Sequence, residues 1–198
     1  MPLNVTLVGS RYFGAAVLGE LAQLDVTVLR VVAPAVDDRL ALRAQALGIA
    51  LQLQRDPKRV SADEIADGSD LIVTAHTHAR VTSDAVARAR LGGIGYHPSL
   101  LPRHRGIAAV EWTIKCGDAI AGGSIYHLAE RMDAGAIAAQ DWCFVKPGET
   151  ARELWERALA PLGIRLLKQV VAQVSATGRL PAQPQDEQFA TQAPRLDR

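Results

Sequence analysis

Cysteine is scarce in this chain. Cys116 and Cys143 are isolated thiols with neither metal nor redox spacing, and they read as free. An excess of one charge is also missing. The 22 basic and 21 acidic side chains leave +1, which gives no support for a nucleic-acid or anionic-membrane partner. The cluster Arg103, His104 and Arg105 is too small to alter that. No apolar run approaches the roughly 20 residues of a membrane span. The opening Met1–Thr6 lacks the basic region and apolar stretch of a secretory leader. Free thiols without a leader lead to the expectation of a cytoplasmic protein. There are no internal repeats. Gly9 to Gly14 stands where a phosphate-binding loop would, after a strand and opening a helix. It lacks both Gly-x-Gly-x-x-Gly and a P-loop Lys-Ser/Thr, so it reads as a plain tight turn.

What is present is ordinary for a globular domain with a sizeable core: 48% hydrophobic and 22% charged residues in 198. Leu3–Val8 is a first strand, and Phe13, Val17, Leu18 and Leu21 recur at helical spacing after it. Val26–Ala33 and Asp70–Ala75 are nearly continuous apolar runs, the mark of strands buried on both faces of a parallel sheet. Between them, Asp37 or Asp38 caps a helix stopping at Gly48, Ile49–Leu53 is a short strand, and residues 55–69 are polar and mixed. Gly93–Tyr96 is the strand before His97, and Ala108–Cys116 is helical. Gly123–Leu128 and Ile137–Val145 are strands without a helix between them, so they should pair antiparallel. Thr150 and Glu153 form a capping box. Pro161 should divide the C-terminal helical stretch into helices Ala151–Ala160 and Leu162 to about Ala176. The alternation predicts an α/β fold: an open, mostly parallel, Rossmann-like sheet with helices on both faces, binding its ligand at the carboxyl ends of the central strands. Residues 177–198 shift to Gly, Pro, Gln and Asp and read as a tail, draped or mobile. Trp112, Trp142 and Trp155 read as core.

The chemistry concentrates in Ile94–Gly106. Pro98 and Pro102 stiffen the loop after His97 and hold His97 and Leu101 extended. An imidazole mounted rigidly at a strand end suits proton transfer or oxyanion stabilisation. Asp133 is the carboxylate that can pair with it. His76 and His78 follow the Asp70 strand. Alternation would set them on one face, but no third ligand at metal spacing appears, so no metal is expected. Ser124 and Tyr126 share the strand face toward the expected site. His104 and Arg105 read as structural, with an acidic ligand or a sheet-end carboxylate open to Arg105.

His97-Pro98-Ser99-Leu100-Leu101-Pro102-Arg103-His104-Arg105-Gly106 resembles the signature of the folate-dependent formyltransferases, and Asp133-Ala134-Gly135 matches their second motif, Asp-x-Gly. The resemblance implies a formyltransferase-like catalytic domain over residues 1–176, with the second domain of some members absent after the 177–198 tail. It implies 10-formyltetrahydrofolate as formyl donor, His97 and Asp133 as catalytic pair, and folate contacts at the positions of His76, His78, Arg80 and Val81. Gly95, Tyr96, Ser99 and Ser124 are the other substrate-binding positions it suggests. Most members carry Asn-x-His; here Gly95 replaces the asparagine, and Tyr96 precedes the histidine. That departure is shared with the hydrolase domain of 10-formyltetrahydrofolate dehydrogenases, so water is the expected acceptor. A small amine such as an amino sugar nucleotide is the alternative, and a non-catalytic folate binder the third reading. The sequence leaves a homodimer open.

Overall fold

An apolar run buried almost throughout makes Leu3–Gly9 the central strand β1 of the first of two units in this computed structural model, which describes residues 2–196. The first unit extends to Gly95 and also takes in Val171–Leu180; the second comprises Tyr96–Val170 and the residues from Pro181 onward.

In the first unit α1 (Arg11–Leu21) follows β1, then β2 (Val26–Ala33), α2 (Arg39–Ala46) and β3 (Leu51–Leu53). Next come β4 (Arg59–Val60), β5 (Leu71–Ala75), β6 (Arg80–Val81), α3 (Ser83–Val86) and β7 (Gly93–His97), which crosses into the second unit after Gly95. The main strands lie in the order β3-β2-β1-β5-β7, every pair parallel. The chain steps outward through β2 and β3, then returns to the other side of β1, so the strand order reverses between β1 and β5. That reversal is where open α/β sheets form a crevice.

One expectation shifts here. β2 is buried on both faces only from Val31 to Ala33, because β3 pairs only with those residues and leaves Val26–Arg30 an open edge. The polar stretch 55–69 holds a single 3-10 turn, Ala62–Glu64, and contributes β4 to a separate two-stranded sheet with β6.

In the second unit α4 (Ala109–Lys115) leads to β8 (Ile120–His127) and β9 (Ile137–Phe144), paired antiparallel as expected. Five parallel strands and one antiparallel pair make the fold α/β and mostly parallel. Val110, Ala121, Leu154 and Leu159 form a buried cluster in this unit. The Thr150–Glu153 capping box opens α5 (Ala151–Leu154). Pro161 does not end the helix. A π-helical turn at Trp155–Leu159 precedes it, and α6 (Ala160–Thr177) runs on with Pro161 in its first turn. The π turn, in which Ala160 N donates to the Trp155 carbonyl, carries the helix past the proline without a break. Trp142 is not core: it is half exposed on β9, edge-on to Phe144 at 5.0 Å.

Candidate functional site

His97 is the last residue of β7, and the loop after it is braced by hydroxyls. Ser99 Oγ donates to the Arg103 carbonyl at 2.6 Å. Ser124 Oγ donates to the Ser99 carbonyl at 2.6 Å and accepts from Leu101 N at 3.0 Å and Gln140 Nε2 at 2.8 Å. Both serines are fully buried, so their hydroxyls hold the loop rather than face a ligand. Tyr96 is similarly committed. Its hydroxyl donates to the Leu159 carbonyl at 2.7 Å, and a Cβ on Gly123 or Gly163 would fall 2.4 Å from its ring. Burial raises its phenol far above the ordinary value.

His97 Nε2 lies 2.7 Å from the His104 carbonyl and donates to it, since a carbonyl can only accept. In the neutral ring Nδ1 then carries the lone pair. It faces Asp133 Oδ2 at 3.5 Å, both side chains being more than nine-tenths buried. Asp133 stands at φ +53°, in the left-handed region that aspartate tolerates. Its Oδ2 accepts from Gly106 N at 2.8 Å, and the Tyr126 phenol stands near the carboxylate. Burial, then the neighbouring Asp133 charge, raises the Tyr126 phenol well above its usual value. The site therefore sets two buried acceptors side by side, where a donor beside them can reach both.

Burial lowers the His97 pKa below 6.5, outweighing the opposing pull of Asp133 and the His104 carbonyl. His76 is also lowered, by burial first and then by the charge of His78. The unfolded chain binds more protons than the folded one once pH drops toward 6.5. Stability should therefore be fully present above that pH and decline as pH falls through 6.5 toward the folded values. Urea titrations between pH 7.5 and 5.5 should show the midpoint falling, with a shallower slope in His97→Gln. Equal slopes would remove His97 as a cause.

The remaining suggested positions, Gly95, His76, His78, Arg80 and Val81, belong to the first unit. Gly95 is buried in β7, paired with Thr74. His76 and His78 do not alternate on a strand, because β5 ends at Ala75 and His76 takes a left-handed φ of +57°. Their rings meet edge to face at 5.3 Å, and the His76 Nδ1 is 3.1 Å from Ser10 Oγ. Among the described residues no three His, Cys, Asp or Glu side chains gather as metal ligands. Arg80 is exposed and Val81 buried in the β4–β6 pair. A cavity of about 340 Å³ at the strand-order reversal is lined by Ser10, Arg11, Asp38, Gln54, Thr77 and His78. The Arg11 N–H that opens α1 already donates to the Asp38 carboxylate at 2.9 and 3.0 Å, and Asp38 also caps α2 through Leu40 N at 2.8 Å. A carboxylate occupies the place a phosphate would take, in keeping with a plain turn.

Sequence reasoning left three contributors without a role. The His104 carbonyl fixes the His97 tautomer. The buried His104 ring donates through Nε2 to Asp118 at 2.7 Å. The C-terminal segment lies largely exposed and is pinned to the second unit at two bridges: Gln183 pairs with Ile137, and Gln192 with Arg105. The Gln-Asp-Glu run at 185–187 was the one available signal, since polar side chains so placed in a Pro-rich stretch need partners.

The family model described as formyl transferase matches residues 26–171. Mitochondrial 10-formyltetrahydrofolate dehydrogenase of Mus musculus is 35% identical over 200 residues, covering 96% of this chain and 22% of that protein. The chain thus spans about a fifth of the length of that relative. Methionyl-tRNA formyltransferase of Lactobacillus delbrueckii subsp. bulgaricus is 30% identical over 98% of this chain and 65% of its own length. Among solved structures, glycinamide ribonucleotide transformylase 1 of Symbiobacterium toebii superposes with a TM-score of 0.76 at 21% identity, covering 93% of this chain and 95% of the other.

Proposed function

From the premise that the chain belongs to the formyl transferase family, we propose that it takes the formyl group of 10-formyltetrahydrofolate and passes it to water, releasing formate and tetrahydrofolate. The observation that carries this reading is the pair of buried acceptors, His97 Nδ1 and Asp133 Oδ2, 3.5 Å apart. A water seated beside the pair, within hydrogen-bond reach of both atoms, is held and aligned for attack.

The water oxygen forms a bond to the formyl carbon, and its proton passes to His97 Nδ1. The imidazolium is then held on both sides, by the His104 carbonyl and by the Asp133 carboxylate. The carbonyl electrons move onto oxygen, giving a tetrahedral oxyanion beside the protonated ring. Collapse re-forms the carbonyl and breaks the C–N10 bond, and the His97 proton goes to N10. Formic acid leaves and ionises in water. The lowered pKa of His97 keeps it neutral at the start of this cycle, as a base must be. Gly95 and Tyr96, together with the likeness to a 10-formyltetrahydrofolate dehydrogenase, support water over other acceptors.

The likeness to a methionyl-tRNA formyltransferase, 30% identical, favours a second reading, transfer to an amine. Incubation with 10-formyltetrahydrofolate separates the two. Formate and tetrahydrofolate released together in buffer support the hydrolase. Tetrahydrofolate released only when an amine is added, with formylated amine appearing, replaces water as acceptor. Binding without turnover in an amine screen overturns both.

A further inference from the structure

Arg105 is a guanidinium that the hydrolytic cycle does not use, and its side chain is only 2% exposed. Its partners lie some 80 residues along the chain. Nε and Nη2 donate to Gln185 Oε1 at 3.1 and 2.6 Å. Nη1 and Nη2 donate to the two carboxylate oxygens of Glu187 at 3.0 and 2.8 Å. The Arg105 hydrogen bonds, with Arg131 adding to them, hold the Glu187 carboxyl at about 2.

Gln185 is the shared element. While its carbonyl oxygen accepts from Arg105, its amide nitrogen donates to the Asp133 carbonyl at 2.8 Å and to the Gly135 carbonyl at 2.7 Å. One planar amide thus uses both donors on the turn that presents Asp133 and its acceptor on the loop that leaves His97. The backbone reinforces the same junction. Arg105 N donates to the Thr191 carbonyl at 2.9 Å, Ala193 N to the Arg105 carbonyl at 2.7 Å, and His104 N to Thr191 Oγ1 at 2.8 Å.

We propose that Gln185 is a positioning residue for the His97–Asp133 pair, the centre of a C-terminal strap that sets their separation. Asp133 and His104 both hold left-handed backbone, at φ +53° and +55°. Such conformations persist when surrounding contacts over-determine them. The strap supplies those contacts to both: the Gln185 amide on the Asp133 turn, Thr191 on the His104 backbone. His104 in turn orients the carbonyl that accepts from His97. The proposal rests on His97 and Asp133 being the reacting groups.

Gln185→Glu tests it. This variant keeps an acceptor for Arg105 but sets a carboxylate oxygen against the Asp133 and Gly135 carbonyls where a donor stood. Formate release should lose on the order of 10- to 100-fold in kcat, the scale of a misplacement near 1 Å. KM should stay within about twofold, because substrate binding is not what the amide supplies. Gln185→Met, which removes the donors without adding charge, should show the same split. Hydrogen exchange at the Gly106 amide, which donates to Asp133 Oδ2, should accelerate in both variants. Glu187→Gln, which leaves the amide intact, should do neither. Parental kcat with unchanged Gly106 exchange would overturn the proposal, as would equal losses in Gln185→Glu and Glu187→Gln. If the parent protein releases no formate, the hydrolytic reading falls, and Gly106 exchange alone decides whether the strap positions Asp133.

Discussion

Asp133→Asn should lower formate release from 10-formyltetrahydrofolate on the order of 100- to 10,000-fold, the usual contribution of a general acid–base pair. The amide keeps an oxygen for the Gly106 N–H, so the turn retains its shape and its melting temperature. On the mechanism proposed above, what disappears is the charge that holds the attacking water and stabilises the imidazolium. His97→Gln should lose activity on a similar scale, since its amide can still donate to the His104 carbonyl but cannot carry a proton through the cycle. Losses in the double variant should be no greater than in either single one, because the two groups act as a unit. A single variant that keeps its activity while remaining folded would remove that residue from the mechanism.

Gly135→Ala should be the most damaging change of a single methyl group. A Cβ there would lie 1.8 Å from the His127 carbonyl oxygen and 2.8 Å from its carbon, both backbone atoms. His127 cannot give way easily, since its N–H donates to the Ala136 carbonyl at 2.8 Å and its ring is held by the Pro181 carbonyl at 2.7 Å. The turn must move instead, and Asp133 moves with it. Overpacking of this kind costs about 3 kcal/mol, which in a chain of this length lowers the melting temperature by roughly 6–12 °C. Formate release should fall in parallel. Gly148→Ala is the useful comparison, because a Cβ there meets nothing and the strain of its φ of +74° stands alone. Equal melting temperatures for the parent and Gly135→Ala would show that the approach to His127 is not that close.

The glycine of the Asp-x-Gly motif therefore has a steric reason that no spacing argument supplies, and the same division runs through the molecule. The βαβ alternation, the histidine at the end of β7, the antiparallel final pair and the Thr150–Glu153 cap were all legible. Each depends on residues within a few positions of one another. The Ser99, Ser124 and Tyr96 hydroxyls meet carbonyls, which no segment reading could show, because a hydroxyl looks the same in sequence whether it faces a ligand or a carbonyl. Only the partners at 2.6–2.7 Å decide that.

By itself, then, the sequence determined the fold class and the family and singled out His97 and Asp133 as candidates, through local periodicity and motifs that survive being read one segment at a time. The tertiary structure alone decided the His97 tautomer, the occupation of the α1 N-terminus by Asp38, and the conversion of a Pro/Gln-rich tail into a strap. Those depend on which buried donor meets which acceptor 7, 27 or 80 residues away. Hydrogen bonds over such distances leave no period in the chain, because burial rather than sequence proximity selects the partner.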